Sequence, residues 1–321
     1  MRALVTGGTG FVGGHTARVL AEAGHRVSVF TRRPALPERL ARLGVEAVRG
    51  DLEDLDSVAR ALEGSAVVFH AGELKNTTKA ASRKNLRAVE RIVEKAPACG
   101  VRRLVFVSSI TVAGIPPLAE APASEETAPE VELGDHYTWY KREAEALLAQ
   151  GAGGLEWSVI RPAPVYGPGS RFMGRLVDAV DRLGPVGFPF VGKGENLAPL
   201  VHVKDLAMAI ALAGEAPGAA GQAFNLTDGE RHTWAEFLEA IAGALGKKIR
   251  IIPVPPLALR LPSVFLDYFS FPLGLELDLT HYTDYFSRDI FFSNDKARQA
   301  LGWRPAYGLR EGVAEMISED G

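Results

Sequence analysis

Through its first half the chain alternates short, mostly apolar runs with stretches whose apolar residues recur at helical spacing. Arg2 to Val5, Arg26 to Phe30, Val45 to Arg49, Ala66 to Phe69, Leu104 to Val107 and Trp157 to Ile160 read as six strands. Continuous rather than alternating apolarity fits strands covered on both faces. Helices are expected at Thr16 to Ala23, with Val19 and Leu20 on one face, at Asn85 to Ala98, with Leu86, Val89, Ile92 and Val93 in register, and at Tyr137 to Ala149. Strands and helices in alternation predict an α/β fold, a doubly wound parallel sheet with right-handed crossovers. Beyond residue 165 the pattern loosens. Glycine- and proline-rich segments at Gly167 to Gly169 and Gly184 to Gly194 surround a helix near Gly174 to Leu183. Leu200 to Val203 and Ala223 to Leu226 read as strands, Asp205 to Ala213 and Thr233 to Leu245 as helices, and Thr233 and Glu236 have capping-box spacing. Val254 to Leu261 and Phe265 to Leu273 are apolar and irregular. Residues 1–165 plus about 198–222 are therefore expected to form the sheet domain. Residues 166–197, approximately, plus 223–321 form a smaller, mostly C-terminal α/β layer over the sheet's carboxyl edge, where doubly wound folds take ligands.

The first strand runs into Thr6-Gly7-Gly8-Thr9-Gly10-Phe11-Val12-Gly13. A strand that turns directly into a helix leaves unpaired backbone N–H groups at the helix start, and the helix dipole adds positive potential there. Glycine permits the tight turn and lets a phosphate approach the backbone. The strand–turn–helix setting favours a dinucleotide cradle over a plain glycine-rich turn, with Gly7, Thr9, Gly10, Phe11, Val12 and Gly13 as its residues. NAD would be signalled by a carboxylate at the end of the second strand, for the ribose 2′-hydroxyl. That place holds Thr31 followed by Arg32 and Arg33. Two guanidinium groups suit a 2′-phosphate, so NADP is expected in preference to NAD; a solvated arginine pair is the plain alternative. Asp51 and Leu52, after the third strand, either contact the adenine or form a simple turn.

Ser109 follows the fifth strand, and Tyr137 and Lys141 stand four apart on one face of the next helix. A close cation favours phenolate and lowers a tyrosine's pKa, so this pair could pass a proton near neutral pH. Ser109 could hydrogen-bond the reacting oxygen. These three are the candidate catalytic residues. Composition narrows the picture: 321 residues, 47% hydrophobic and 23% charged, are ordinary for a globular enzyme, and a net charge of −3 offers no general attraction to nucleic acid or anionic membrane. The single cysteine, Cys99, excludes an internal disulfide and a cysteine-rich metal site, and is expected to pack at a helix end. No metal is expected. No uncharged apolar run of about 18 residues is present and the first residues do not read as a leader, so a cytoplasmic location is expected.

Taken in order, the motifs resemble the extended short-chain dehydrogenase/reductases of the NAD-dependent epimerase/dehydratase family. The matching pieces are the glycine loop, Gly50-Asp51-Leu52, Phe69-His70-Ala71, Val107-Ser108-Ser109, Tyr137-x-x-x-Lys141 and Arg161-Pro162-x-x-Val165-Tyr166-Gly167-Pro168. Later ones are Val201-His202-Val203-Lys204-Asp205-Leu206-Ala207 and Lys296-Ala297-Arg298-x-x-Leu301-Gly302-Trp303-Arg304-Pro305. The resemblance spans nearly the whole chain and implies a Rossmann domain. It implies Tyr137 as general acid/base, Lys141 on the nicotinamide ribose, Ser109 on the substrate oxygen, the backbone of Ala71 and Gly72 toward the cofactor ribose, and Pro162 to Val165 beside the carboxamide. Asn85 matches an asparagine often found in the family's fourth helix, or is a solvated helix start. A homodimer through two helices per chain is the family default.

Departures bear on substrate. Tyr140 stands where the family often has serine, and Val112-Ala113-Gly114 lacks the family's aromatic. Ser109-Ile110-Thr111 lacks the acid and base of sugar-nucleotide 4,6-dehydratases, and Asn196-Leu197-Ala198-Pro199 lacks the arginine with which many UDP-sugar epimerases grip a diphosphate. Arg171 and Arg288 are replacements for it or surface residues. Phe188, Phe190, Phe265, Tyr268, Phe269 and Phe271 are expected mostly in a core, the remainder suiting an apolar carbonyl substrate. The expected function is hydride transfer between a nicotinamide and a carbonyl/hydroxyl carbon of a small molecule. A nucleotide-sugar epimerase with retained NAD and a non-catalytic NAD(P) sensor are the alternatives; neither nucleic acid nor membrane is an expected partner.

Overall fold

The strands, in chain order, are β1 (Arg2–Thr6), β2 (Arg26–Thr31), β3 (Glu46–Arg49), β4 (Val67–His70), β5 (Arg103–Val107), β6 (Glu156–Pro162), β7 (Val165–Tyr166), β8 (Phe188–Val191), β9 (Val201–His202), β10 (Gln222–Leu226) and β11 (Ile251–Val254). The helices are α1 (Phe11–Glu22), α2 (Glu38–Ala41), α3 (Leu55–Leu62), α4 (Lys79–Lys95), α5 (His136–Ala149), α6 (Arg171–Leu183), α7 (Val203–Glu215), α8 (Trp234–Ala244), α9 (Asp295–Leu301) and α10 (Leu309–Asp320). This computed structural model describes residues 1–74, 78–117, 121–151, 153–258, 283 and 285–320. Phe265, Tyr268, Phe269 and Phe271, and the run Phe265 to Leu273, lie outside the described residues.

Seven strands form one parallel sheet in the order β10-β6-β5-β4-β1-β2-β3. The Rossmann sheet expected from the alternation is thus present. The apolar runs of the inner strands β4 and β5 are explained by burial on both faces. In β1, Leu4 packs with Val68, Ile92, Phe106, Tyr140 and Val159 on the side of α3, α4 and α5. Its neighbour Val5 packs with Leu20, Phe69, Leu206, Phe224 and Trp303 on the side of α1 and α7. A separate cluster gathers Tyr166, Met173, Phe188, Trp234, Phe237, Phe292 and Val313 with Ile110 and Ile115. Leu226 pairs with Pro162, so β10 is the outer strand of the central sheet. The strand order reverses between β1 and β4, which opens a crevice at the carboxyl ends of those two strands.

Some boundaries differ from the sequence reading. Helix α1 begins at Phe11 rather than Thr16, because Gly13 and Gly14 are helical and not loop. Helix α4 begins at Lys79 rather than Asn85; its first turn has no apolar stripe, but Thr78 caps it by accepting from the Ala81 N–H. Val201 and His202 pair with Val165 and Tyr166 in a small separate sheet. Strands β8 and β11, parallel to each other, were hidden by Pro189 and Pro253, which a two-stranded edge pair tolerates because part of each strand needs no ladder donor. Among the described residues, no helix is long and apolar enough to cross a membrane.

Candidate active site

Two loops meet backbone to backbone at the crevice. Gly7 has a φ of +70°, and a Cβ there would lie 2.6 Å from the Ala71 oxygen and from Gly72 Cα. Thr6 ties the loops together: its Oγ1 accepts from the Gly72 N–H at 3.2 Å and lies 2.6 Å from His70 Nδ1. Thr9 and Gly10 complete the turn, and Gly10 caps α1 without any side-chain acceptor for the first-turn N–H groups of Phe11, Val12 and Gly13. No acidic residue stands in that turn to oppose an incoming anion. A Cβ on Gly13 would lie 2.4 Å from the Gly7 oxygen, so this glycine lets the helix close onto its own loop. A cradle lined by backbone that side chains would fill, at the positive end of a helix, fits a pyrophosphate. The segment after β6 closes on the same helix: His15 Nε2 lies 3.0 Å from the Pro168 carbonyl oxygen. That segment carries Pro162, at the end of β6, and Val165, in β7, which packs against the sheet cluster.

At the far end, Arg32 and Arg33 are exposed after β2, and Arg32 Nη1 lies 4.0 Å from Asp51 Oδ2. Arg39 of α2 reaches the same edge: its Nη2 lies 3.7 Å from the place of a Cβ on Gly14. The sequence reading did not single it out. Asp51 forms a local turn, its Oδ1 accepting from the Glu53 N–H at 3.0 Å, and Leu52 packs partly against the α4–α5 side of the core.

Ser109, Tyr137 and Lys141 come together. Ser109 opens a 3₁₀ turn after β5, where its Oγ accepts from the Thr111 hydroxyl at 3.0 Å, and it stands near enough to Tyr137 to favour the phenolate. Tyr137 sits in the first turn of α5, capped by Asp135, whose Oδ1 accepts from the Thr138 N–H at 2.8 Å. Lys141 Nζ lies 5.4 Å from the Tyr137 ring centre, 4.8 Å from that of Tyr140 and 5.1 Å from that of Phe106, and donates to the Val107 carbonyl at 2.8 Å. Tyr140, the departure from the family pattern, is buried in the core under this ammonium.

A residue that the sequence reading missed completes the cluster. Glu73 Oε2 lies 3.0 Å from Lys141 Nζ. Burial pushes the Tyr137 phenol well above its ordinary value, and Glu73 and Tyr140 push the same way; Lys141 and the nearby Ser109 hydroxyl oppose this and lose. The expectation that Lys141 would bring the phenol down toward neutrality is corrected: the cation is compensated, and desolvation of the phenolate dominates. Burial disfavours the Lys141 charge, yet Glu73, Tyr137 and Glu145 together raise its pKa. Tyr137 therefore holds its proton and Lys141 is an ammonium. His70 is held neutral, its pKa lowered to about 3 by burial and by Lys141. The available signal for Glu73 was a carboxylate two residues beyond Ala71, in a loop expected to face a cofactor. Asn85 is buried, not solvated: its Oδ1 accepts from the Leu74 N–H at 2.8 Å and its Nδ2 donates to the Leu74 carbonyl at 3.3 Å.

On the opposite side, Phe188 is buried and Phe190 joins an aromatic group with Trp234 and Phe286, at centroid distances of 6.2 and 5.8 Å. Arg288 donates to Glu130 at 2.9 Å.

A family model described as "NAD dependent epimerase/dehydratase family" matches residues 3–227. Among curated relatives, a 3beta-hydroxysteroid-dehydrogenase/decarboxylase isoform of Arabidopsis thaliana is 28% identical over 98% of this chain, which spans 61% of that longer protein. A 3 beta-hydroxysteroid dehydrogenase/Delta 5→4-isomerase of Mycobacterium tuberculosis is 29% identical over 98% of the chain and 89% of its own length. Among solved structures, gox2253 superposes with a TM-score of 0.81 at 27% identity, covering 99% of this chain and 97% of that one. The UDP-glucose 4-epimerase of Thermus thermophilus, solved with NAD, gives 0.74 at 26% identity, covering 99% and 98%. The strand order, the glycine cradle and the full-length match agree, and the chain belongs to the NAD-dependent epimerase/dehydratase family, whose members are NAD-dependent oxidoreductases or epimerases.

Proposed function

We propose that this chain is an oxidoreductase that interconverts a carbonyl and a hydroxyl on an apolar small molecule, with Tyr137 as general acid/base and NADP preferred over NAD. The observation that carries the reading is the protonated Tyr137 hydroxyl, close to Ser109 and backed by the Lys141 ammonium, beside a cradle for a dinucleotide. A bound nicotinamide dinucleotide would supply or accept the hydride. Gly7, Thr9, Gly10, Phe11, Val12 and Gly13 would hold its pyrophosphate; Arg32, Arg33 and Arg39 would take the 2′-phosphate, and Asp51 and Leu52 the adenine. Ala71 and Gly72 would face the ribose, and Pro162 and Val165 the carboxamide. Tyr137 gives its proton to the carbonyl oxygen in reduction and takes it from the hydroxyl in oxidation, while Ser109 fixes the direction of that oxygen. Lys141 would hold the cofactor ribose and support the phenolate.

The steroid dehydrogenases among the relatives and the aromatic group around Phe190 favour an alicyclic alcohol or ketone as substrate class. A second reading, epimerisation of a nucleotide sugar with NAD retained, is favoured by the likeness to the Thermus epimerase. Against it, the 196–199 segment carries no arginine and Arg288 is engaged by Glu130. The residues of the third cluster, with Phe190, would form the substrate side. We also propose a homodimer through α4 and α5. Among the described residues that outer face bears no large exposed hydrophobic, so the interface would be built on charged side chains such as Arg83, Arg87 and Glu90. The single cysteine fits a cytoplasmic setting.

Mass spectrometry of the co-purified nucleotide, followed by a screen of alicyclic alcohols and ketones with NADPH and NADH, tests the reading. Net change in reduced-nicotinamide absorbance is expected; turnover of a UDP-sugar without such change would establish the epimerase instead. Tyr137→Phe should lower kcat by at least about 100-fold with folding intact, and unchanged turnover removes the assigned acid.

A further inference from the structure

We propose that Glu73 is a third charged member of this site, a positioning residue that pairs with Lys141 and offsets its positive charge at the Tyr137 hydroxyl. The proposal rests on the catalytic reading of Tyr137 and Lys141 given above.

The pair is built into the backbone. Glu73 lies in the loop after β4, and that loop is fixed on both sides of it. Before it, the Gly72 N–H donates to Thr6 Oγ1 at 3.2 Å; after it, both backbone groups of Leu74 are held by the buried Asn85 amide. The carboxylate is thereby delivered 3.0 Å from an ammonium whose side chain is only 5% exposed.

Among the described residues, the other charged or titratable groups around Lys141 and Tyr137 are committed or uncharged. From α5, Glu145 accepts a bidentate pair from Arg161, with Nη2 to Oε2 at 2.5 Å, and a hydrogen bond from Ser108 Oγ at 2.5 Å. Also from α5, Tyr140 is buried and keeps its proton. From β4, His70 is neutral. From β5 come the Phe106 ring and the Val107 carbonyl, and from the turn beyond it the Ser109 hydroxyl. Glu73 is therefore the carboxylate that answers the Lys141 charge among the described residues.

The consequence is a division of labour. Lys141 stays charged and in place, which a lone buried ammonium would resist. Its field at the phenol is reduced, which adds to the burial that keeps Tyr137 a proton donor at neutral pH. A site tuned this way favours protonating a carbonyl oxygen over taking a proton from an alcohol, until pH rises. It also makes the loop after β4 part of the acid/base machinery.

The experiment is a tyrosine titration by nuclear magnetic resonance on full-length protein made with ring-labelled tyrosine, without and with saturating NADP. The Tyr137 signal is assigned by its loss in Tyr137→Phe. Glu73→Gln and Glu73→Ala should each move the Tyr137 midpoint to lower pH by about one unit or more, as expected on removing a charge coupled to this ion pair. Glu53→Gln, which breaks an exposed pair with Lys84 on the neighbouring face, should leave it unmoved. With a substrate in hand, the basic limb of the kcat/KM profile should fall by the same amount in Glu73→Gln. An unmoved midpoint in either Glu73 variant, with a native spectrum, overturns the proposal, as does an equal shift in Glu53→Gln. The catalytic reading fails separately: Tyr137→Phe retaining turnover sinks that reading whatever the titration shows.

Discussion

Gly13→Ala tests the link between the glycine loop and dinucleotide affinity. A methyl group at residue 13 would sit 2.4 Å from the Gly7 oxygen, 2.7 Å from the Gly7 carbonyl carbon and 3.0 Å from the Gly8 nitrogen. All three are backbone atoms, so no side chain can swing away; α1 must lift off the loop or the loop must deform. Normal carbon–oxygen contact is near 3.4 Å, so the shift required is about 1 Å. Overpacking of this kind costs roughly 1–3 kcal/mol, while replacing a helical glycine by alanine returns up to about 1 kcal/mol of propensity. Net stability should fall by about 0–3 kcal/mol. The larger effect is on binding, because the first-turn N–H groups move away from the phosphate: a loss of about 1.4–2.8 kcal/mol is a 10- to 100-fold weaker Kd. Fluorescence titration with NADPH and NADH measures this. The control is Gly243→Ala in α8, where nothing lies within 4 Å of the new methyl; it should be neutral or stabilising and leave the Kd unchanged. A Gly13→Ala protein that binds both nucleotides as tightly as the parent would refute the argument that this turn cradles the pyrophosphate.

Other outcomes follow from the same structure. Replacing Arg32 and Arg33 together by alanine should weaken NADPH by about 10-fold and leave NADH nearly unchanged, since charge-assisted bonds contribute about 1.5–3 kcal/mol; equal losses for both nucleotides would remove the 2′-phosphate assignment. His202 is fully buried, and burial first, then Lys204 and His15, lower its pKa to about 4. The unfolded chain takes up this proton near 6.5, so acidification from pH 6.5 toward 4 destabilises the fold by up to about 1.4 kcal/mol per pH unit, with no contribution above 6.5. Thermal midpoints at pH 7 and 5 should diverge less in His202→Gln than in the parent. Arg103 is 2% exposed at its side chain, pairs with Glu156 at 2.8 Å, and donates to the Ala213 and Ala216 carbonyls at 2.9 and 2.7 Å. Arg103→Met strands those carbonyls and should cost roughly 2–4 kcal/mol in urea unfolding with an unchanged m-value.

The sheet was legible because its inner strands are buried on both faces, and that burial writes itself into Ala66 to Phe69 or Leu104 to Val107 as an unbroken apolar run. The glycine cradle and the Tyr137–Lys141 spacing were legible for a related reason: turn geometry and one helical turn are properties of neighbours in the chain. Helix starts were less so, since Lys79 to Arg83 is polar and Gly13 looks like loop until its contact with Gly7 is seen. Pro189 and Pro253 concealed two strands that only an edge pairing permits.

The amino-acid order by itself determined the α/β class, the glycine turn between β1 and α1 and the helical partnership of Tyr137 with Lys141. Tertiary structure alone decided what surrounds that partnership. Glu73 is 68 positions from Lys141, and Asn85, which fastens its loop, stands in another helix. Whether a phenol gives up its proton depends on burial and on every charge within a few ångströms, and those groups converge on Tyr137 from β4, β5 and α5 only when the sheet has brought the strands side by side.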